Sequence, residues 1–269
     1  MSFPRVIVTR PERDAARWVA DLRRRGLPAE ALPLITIEAL PVSPALQRAW
    51  RDIRSYAALM FVSGNAADAF FASNQAPAHA GQAQAAIDSI ADDGPRCMAP
   101  GPGTVAALRA AGVPASRIDA PALEAGQFDS EALWAVVAAQ AWPGRRVLIV
   151  RGESAGADVP GGVGRDWLAR QLSAAGAQPE FLAVYRRGAP LFTAVQQQIL
   201  ADAAADGSVW LFSSSEAVSH LPPRDWSQAR AVATHPRIAE AVRAAGWGVV
   251  AESRPALDDI VASIESMQP

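Results

Sequence analysis

Cysteine and histidine are scarce in this chain of 269 residues, and their scarcity excludes several kinds of site. The one cysteine, Cys97, leaves no partner for an intramolecular disulfide or for a zinc site built from cysteines. Because Cys97 lies in an apolar strand-like run, we expect a buried and inert thiol. The three histidines, His79, His220 and His235, are far apart in the sequence and match no metal-ligand spacing. We therefore predict a protein without a metal site.

An excess of charge of either sign is also missing. The net charge is −2 and the isoelectric point is about 6.0, so no basic surface for nucleic acid or acidic lipid is predicted. No apolar run approaches the roughly 18 residues that a membrane helix needs, and Met1–Arg5 lacks the apolar core of a signal peptide. We expect a cytoplasmic monomer without nucleic-acid or membrane partners. At roughly 100–200 residues per domain, the length favours two domains.

The chain contains an internal repeat. Three pairs of segments match in the same order: Arg5–Arg10 with Arg146–Arg151, Leu59–Ser63 with Trp210–Ser214, and Leu108–Gly112 with Val242–Gly246. Ordered matches of this kind indicate a duplication. The first copy holds an extra polar segment at Ala72–Gly94. The second holds a Gly/Pro-rich insertion at Ala155–Gly164, which we predict to be a surface loop.

Short apolar runs alternate with helical patterns in each copy, as in βαβ units with parallel sheets covered by helices on both faces. Strands are predicted at Val6–Val8, Ala31–Ile35, Ala58–Val62, Arg96–Ala99 and Val147–Val150. Helices are predicted at Glu12–Arg25, Ala66–Phe71, Thr104–Ala111 and Ser130–Ala139. The predicted fold class is therefore α/β, with one parallel-sheet lobe for each copy.

In such lobes, ligands bind beyond the carboxyl ends of the strands. The segments at these positions are rich in hydroxyls, glycines and arginines: Thr9-Arg10, Ser63–Asn65, Gly101–Thr104, Arg151-Gly152, Ser213–Ser215 and Thr234–Arg237. Helix N-termini favour anions, and arginine recognises carboxylates with two hydrogen bonds. The composition predicts a polyanionic ligand bound between the two lobes.

The same residues also have structural interpretations. Ser63, Ser214 and Thr104 are good helix N-caps, and Gly101 suits a turn. Solvated charges at strand edges would account for Arg5, Arg146, Arg186 and Arg187. Glu153, at the end of a strand, is a weak candidate for a general acid. No Gly-x-Ser-x-Gly elbow occurs, so the site is predicted to hold and shape a ligand rather than attack it.

Nine segments together resemble the uroporphyrinogen-III synthases, from about Arg5 to about Ile264. The matching segments are Val8–Glu12, Phe61–Ala66, Gly101–Thr104, Asp129–Leu133, Arg146–Glu153, Gly164–Leu168, Val184–Arg187, Phe212–Ser215 and Thr234–Ala239. Each segment is weak evidence, whereas their order and spacing are specific. Three departures stand out: Gly64 replaces a proline found in many members, the insertion after Glu153 interrupts a glycine-rich run, and the segment Ala72–Gly94 is long.

The resemblance implies two flavodoxin-like lobes joined by a two-stranded linker, with one lobe discontinuous. That lobe would comprise residues 1–34 and 186–269, and the other lobe residues 35–184. The crossings would fall near residues 33–40 and 182–188. These are equivalent positions in the two copies of the repeat.

The resemblance also implies an activity: cyclisation of hydroxymethylbilane, a linear tetrapyrrole, with inversion of ring D and loss of water in heme biosynthesis. No metal or organic cofactor is implied. Tyr185 is the implied catalytic residue, which assists loss of the terminal hydroxyl, and a half-buried structural tyrosine is its alternative. The implied substrate-binding residues are Arg10, Ser63, Asn65, Gly101, Thr104, Ser130, Arg151, Gly152, Ser214, Ser215, His235 and Arg237.

Two other classes of protein remain open at this stage. Duplicated lobes of this type also form small-molecule-binding sensor domains. These are usually exported or fused to a DNA-binding module, and the sequence has neither a signal peptide nor a basic helix-turn-helix pattern. A nucleotide- or sugar-processing enzyme would require a Gly-x-Gly-x-x-Gly turn or paired acids, and the Gly101 turn is too short for the former.

Overall fold

The computed structural model of the protein describes residues 3–72, 80–125, 127–154 and 163–267. These residues form a mixed α/β fold with parallel sheets, as predicted. The strands are β1 Val6–Val8, β2 Ala29–Ala31, β3 Thr36–Ala39, β4 Ala58–Phe61, β5 Arg96–Met98, β6 Ile118–Asp119, β7 Arg146–Ser154, β8 Gln178–Gly188, β9 Val209–Phe212, β10 Arg230–Ala233 and β11 Val249–Glu252.

Helices connect these strands along the chain. They are α1 Glu12–Arg24, α2 Pro44–Arg51, α3 Gly64–Ala72, α4 Ala80–Asp92, α5 Pro102–Ala110, α6 Ser130–Val137, α7 Val163–Ala174, α8 Ala194–Ala203, α9 Ser215–Ser219, α10 Pro236–Ala244 and α11 Leu257–Ser266. The extra segment of the first copy thus contributes α4. Of the insertion predicted as a loop, residues 155–162 lie outside the described residues, as does His79. The last two residues of the insertion, Val163 and Gly164, begin α7, so the predicted end of the loop is wrong.

The chain divides into two compact units. Unit 1 consists of Met1–Thr36 and Gly188–Pro269, and unit 2 consists of Ile37–Arg187. Unit 1 therefore combines the first two strands with the last three, whereas unit 2 is a continuous stretch of chain.

Unit 1 contains a five-stranded sheet in the order β11-β10-β9-β1-β2, and its pairs are parallel. Helix α1 covers one face because its apolar residues recur at helical spacing: Ala15, Trp18, Val19 and Leu22 are buried. Gly26 ends the helix with a φ of 81°, a left-handed conformation that glycine adopts without strain. The opposite face carries an aromatic cluster of Trp210, Phe212, Trp226 and Trp247.

Unit 2 contains a six-stranded sheet in the order β3-β8-β7-β4-β5-β6. Its central strands are buried on both sides, which explains their continuous apolar sequences. One face packs into a cluster that includes Phe61, Phe70 and Leu108. The other packs against α6 and α7, with Leu133 and Leu172 fully buried. The two faces together give unit 2 its own apolar core.

The strand predicted at Ala31–Ile35 is placed wrongly, since β2 spans Ala29–Ala31. The amide of Leu32 still donates to the Val8 carbonyl, but the amide of Leu34 donates to the carbonyl of Thr9, one residue on, so the two-residue spacing of a regular ladder is lost. Leu32 and Leu34 are nevertheless fully buried. The apolar run reflects burial in an irregular segment rather than a strand.

Two arginines at the amino ends of strands form ion pairs, so their interpretation as merely solvated charges is wrong. Arg5 binds Glu30 at 2.9 Å and Asp206 at 2.7 Å. Arg146 binds both carboxylate oxygens of Glu180, at 2.6 and 3.0 Å, and lies over the Tyr56 ring. The hydrogen bond from Arg146 lowers the pKa of the Glu180 carboxyl. These contacts join neighbouring strands at the end of each sheet away from the candidate site.

Candidate functional site

In unit 2 the candidate site lies where the order of the strands reverses. Strands β4 and β7 are neighbours in the centre of the sheet. The chain goes from β4 to β5 and β6 on one side, and from β7 to β8 on the other. Loops at the carboxyl ends of such a pair diverge and leave room for a ligand. Ser63 follows β4 directly, and Gly152 lies near the end of β7.

Three of the predicted site residues contact each other at this point. The hydroxyl of Tyr185 on β8 lies 3.2 Å from the hydroxyl of Ser63. The Tyr185 ring packs directly on the backbone of Gly152, where an added Cβ would lie 2.4 Å from two ring carbons. The ladder between β7 and β8 shifts register between Arg151 and Gly152, which sets Gly152 opposite Tyr185.

Tyr185 is more deeply buried than the alternative of a half-buried tyrosine predicts. Its side chain is 2% exposed and belongs to the core of unit 2. Ser63, in contrast, is partly exposed. The pair therefore consists of a buried phenol behind a partly exposed hydroxyl group.

Ser63 is also a helix cap, as its structural interpretation predicts. Its Oγ accepts a hydrogen bond from the amide of Ala66 at 3.2 Å, and its carbonyl accepts from the amides of Ala66 and Ala67. This satisfies one of the free amides at the start of α3. Capping holds the Ser63 hydroxyl at the positive end of the helix dipole.

The starts of α3 and α5 approach each other closely. A Cβ on Gly64 would lie 3.2 Å from the carbonyl oxygen of Gly103, so only a residue without a side chain fits here without displacement. Gly101 occupies the N-cap of α5 and contacts Phe128. The interpretation of Thr104 as a cap is wrong, because Pro102 starts the helix two residues earlier. Thr104 lies in the first turn and is 5% exposed.

The remaining candidates of unit 2 have separate surroundings. Asn65 is partly exposed in the first turn of α3. Ser130 is buried at the start of α6, which the Asp129 carboxylate caps through the amide of Ala132. The Arg151 guanidinium stacks over the Phe181 ring, 4.5 Å from its centroid.

Glu153 and Arg186 are neither an isolated acid nor a merely solvated charge. Their side chains form an ion pair with an N–O distance of 2.7 Å. The carboxylate of Glu153 is thus occupied by a cation on the neighbouring strand.

In unit 1, Arg10 is the most constrained of the predicted residues. It follows β1, whose end is tied to β9 by a 2.7 Å hydrogen bond from the Thr9 hydroxyl to the Leu211 carbonyl. The guanidinium lies over the Trp18 ring at 4.6 Å, and its buried Nε has no hydrogen-bond partner. Burial lowers the pKa of Arg10 to about 10. The group remains a cation at neutral pH, with a donor left for an acceptor.

The other candidates of unit 1 begin α9 and α10. Ser214 is the N-cap of α9, although its side chain makes no capping hydrogen bond, and Ser215 is the first residue of that helix. The Nδ1 atom of His235 accepts the amide of Arg237 at 3.1 Å, so a neutral ring carries its proton on Nε2. Arg237 is exposed. Because β1, β9 and β10 are parallel neighbours, all these residues lie at one edge of the sheet.

The chain matches the model of a known protein family. The family model described as uroporphyrinogen-III synthase HemD matches residues 16–262, most of the chain. The chain belongs to the uroporphyrinogen-III synthase family. It is a cyclising lyase of tetrapyrrole biosynthesis, and the sensor-domain alternative is not favoured.

Solved structures of this family share the fold. A triple mutant of the uroporphyrinogen III synthase from Thermus thermophilus is 16% identical and has a TM-score of 0.51. The match covers 98% of this chain and 98% of that one. The uroporphyrinogen-III synthetase from Helicobacter pylori is 14% identical, with a TM-score of 0.54 over 98% of this chain and 100% of its own. At these identities, the likeness concerns the fold.

The described part of the chain holds neither a metal-binding cluster nor a membrane-spanning helix. No group of three or more His, Cys, Asp or Glu side chains there is arranged to hold a metal ion. Within the same ranges, no helix has the length and apolar character needed to cross a membrane.

Sequence reasoning missed the contacts that relate the site residues to each other. Ser63 and Tyr185 are 122 residues apart, and no local pattern indicates their hydrogen bond. The packing of Gly152 on Tyr185 also depends on the register of β7 and β8. The one signal for Tyr185 in the sequence is the short apolar run before it, because only Leu182, Val184 and Tyr185 of β8 are buried.

Proposed function

We propose that the protein cyclises hydroxymethylbilane with Tyr185 as the source of the proton for the leaving hydroxyl group. The observation that carries the proposal is the pair of hydroxyl groups on Ser63 and Tyr185, 3.2 Å apart, at the carboxyl end of β4. A phenol held beside a second hydroxyl at a helix N-terminus is suited to general acid catalysis.

The acetate and propionate groups of the substrate require anion-binding groups, and each unit has its own. In unit 2 they are the amides that begin α3 and α5, brought together by Gly64 and Gly103. In unit 1, the buried Nε of Arg10 offers a hydrogen-bond donor. The residues proposed to bind substrate are Arg10, Ser63, Asn65, Gly101, Thr104, Ser130, Arg151, Gly152, Ser214, Ser215, His235 and Arg237.

The proposed reaction starts with loss of the terminal hydroxyl group as water. The electron pair of the adjacent pyrrole expels it, and an azafulvene cation forms. Ring D then attacks through its substituted carbon, and the spiro intermediate fragments and closes again with ring D inverted. Because the bilane closes without inversion when left to itself, the main task of the protein is to hold one conformation of the substrate.

The fine organisation of the fold is also a proposal: two duplicated, flavodoxin-like lobes, with residues 1–34 and 186–269 in one and 35–184 in the other. Counted along unit 1, the strands have the spatial order 2-1-3-4-5, as in flavodoxin-like folds. The same order is found in unit 2 when counting starts at β7 and continues from β8 to β4. Neighbouring strands β3 and β8 are the proposed linker, and the arginine ion pairs at the starts of β1 and β7 are equivalent in the two copies.

The proposed function is tested by supplying the purified protein with hydroxymethylbilane and separating the uroporphyrin isomers after oxidation. Isomer III is expected from the wild type, and isomer I alone would refute the proposed function. Tyr185→Phe is expected to lower kcat by about 10²-fold, in the range found for a lost general acid. Thr104→Ala is expected to weaken the site less. A Tyr185→Phe protein with wild-type kcat would make Tyr185 a structural residue.

We further propose that the enzyme acts as a cytoplasmic monomer without a metal or organic cofactor. Isomer III formation should survive chelation and dialysis, and loss of activity that a metal restores would contradict this. Light scattering during size-exclusion chromatography should give the mass of one chain, 28.3 kDa.

A further inference from the structure

The proposed acid, Tyr185, is almost completely enclosed. Its side chain is 2% exposed and lies within the apolar core of unit 2. A substrate outside this core therefore needs a group between itself and the phenol. The Ser63 hydroxyl has the required position, because it lies 3.2 Å from the phenol and its residue is partly exposed.

The Tyr185 ring is also fixed in its enclosed position. The backbone of Gly152 lies against one face of the ring, so closely that a Cβ would come within 2.4 Å of Cε2 and Cζ. Neighbouring core residues such as Val184 are buried as well. A swing of the phenol towards solvent would break this packing, whereas proton transfer to Ser63 needs no movement of the ring.

The hydrogen bonds of Ser63 permit transfer from Tyr185 outwards, since either hydroxyl of the pair can be the donor. A serine hydroxyl has two acceptor lone pairs and one proton. One lone pair accepts the amide of Ala66, at 3.2 Å. The other lone pair can accept the phenol proton of Tyr185. The hydroxyl proton of Ser63 is then directed away from both groups and is available to a substrate.

We propose that Ser63 relays the proton of Tyr185 to the leaving hydroxyl group, a step that rests on the function proposed above. As the carbon–oxygen bond of the hydroxymethyl group breaks, its electron pair goes to the oxygen, which takes the proton of Ser63. Ser63 takes the proton of Tyr185 at the same time. The products are water, the azafulvene cation and a phenolate at Tyr185. Closure of the ring by ring D releases a proton, and this proton converts the phenolate back to the phenol. Ser63 is thus a catalytic residue, and Gly152 a positioning residue that keeps Tyr185 within reach of it.

The test compares two serines that both cap helices of unit 2. Ser43 accepts the amide of Leu46 at 3.1 Å at the start of α2, so Ser43→Ala removes a cap without touching the relay. Ser63→Ala is expected to lower kcat by about 10²-fold, as Tyr185→Phe does, with KM changed less than kcat. Ser43→Ala should shift the thermal midpoint similarly and leave kcat within about twofold. Equal kcat values for the two alanine variants would overturn the relay.

Two further variants separate a relay from a merely structural role. Ser63→Thr keeps a hydroxyl and is expected to recover most of the lost kcat. The double variant Ser63→Ala/Tyr185→Phe should be no slower than either single variant, because both remove the same proton path. Multiplicative losses in the double variant would overturn the relay.

The relay and the proposed function fail in different ways. A slow Tyr185→Phe protein together with a fast Ser63→Ala protein would refute the relay and leave Tyr185 as the acid. Wild-type rates in both variants would refute the acid role of Tyr185 and, with it, the relay. Failure of the wild type to form isomer III would refute the proposed function itself.

Discussion

Replacement of Gly152 by alanine tests how tightly the Tyr185 ring is held. The new Cβ would lie 2.4 Å from Cε2 and Cζ and 2.9 Å from Cδ2. Carbon atoms normally keep about 3.5–4.0 Å apart, so the ring or strand β7 must move by roughly 1 Å. The ring is enclosed, and the displacement is therefore resisted by core packing.

The cost follows from two contributions. Overpacking of a core costs about 1–3 kcal/mol. A ring shift of this size also breaks the 3.2 Å contact with Ser63, worth about 0.5–1.5 kcal/mol. Together they amount to about 1.5–4.5 kcal/mol, and with roughly 2–4 °C per kcal/mol for a domain of this size the thermal midpoint of Gly152→Ala should fall by about 3–18 °C. Its kcat should fall as well, because the phenol no longer meets Ser63.

Gly81→Ala is the matched control, since an added Cβ in α4 meets nothing within 4 Å. The ring itself can be followed by fluorine NMR after incorporation of fluorotyrosine, because the chain has two tyrosines. The signal of Tyr185 should shift in Gly152→Ala, while that of Tyr56 serves as the internal reference. A Gly152→Ala protein with wild-type stability and an unchanged Tyr185 signal would refute the reasoning.

Three other predictions concern the rest of the molecule. Burial raises the pKa of the Cys97 thiol to about 12, so the folded protein should not react with a thiol reagent at pH 8 and should react fully once unfolded; rapid labelling of the native protein would contradict this. Glu180→Gln should cost about 0.5–1 kcal/mol at pH 7. Because the pKa of the Glu180 carboxyl is lowered in the folded protein, the ion pair stabilises the fold above the ordinary value of 4.5. This stabilisation is lost as the pH falls through the lowered pKa, so the urea midpoints of the two proteins should converge in acid. A fragment of residues 35–184 should unfold cooperatively on heating, whereas residues 1–140 lack β7 and leave β4 with an unpaired edge; the opposite behaviour of the fragments would refute the proposed lobes.

The elements that could be predicted from the sequence are those specified by local patterns. Helix α1 begins where predicted and ends one residue early, because its apolar spacing and Gly26 mark it clearly. Strand β4 is recognisable because its residues are apolar and fully enclosed by helices. Strand β2 was misplaced because buried leucines continue past Pro33 without a regular ladder. The spacing of apolar residues indicates which side chains are buried. It identifies a strand only where the backbone also forms regular hydrogen bonds with a neighbouring strand.

The candidate site could be predicted as a set of residues but not as a geometry. Strand ends indicated Ser63 and Gly152 because a parallel sheet presents those ends together. The contacts of both residues with Tyr185 depend on the register between β7 and β8, which no local segment specifies. The residue type of Thr104 favours a helix cap, but residue type alone does not locate the start of a helix, and α5 begins at Pro102. The stacking of Arg10 on Trp18 depends on the packing of α1, which no local pattern around Arg10 indicates.

The discontinuous sheet of unit 1 has a consequence for biosynthesis. Arg5 and Ser208, which join β1 to the start of β9, are 203 residues apart in the chain. At about 5–20 residues per second, the ribosome would release β9 roughly 10–40 s after β1. Unit 2 lies between them and is complete first. Thr36 and Gly188, the residues of unit 1 that flank unit 2 in the chain, are in contact: the Thr36 hydroxyl donates to the Gly188 carbonyl at 3.1 Å. Once unit 2 has folded, the two ends of the chain that leave it are close together. The entropic cost of pairing β1 with β9 is then that of a short loop rather than of 200 residues.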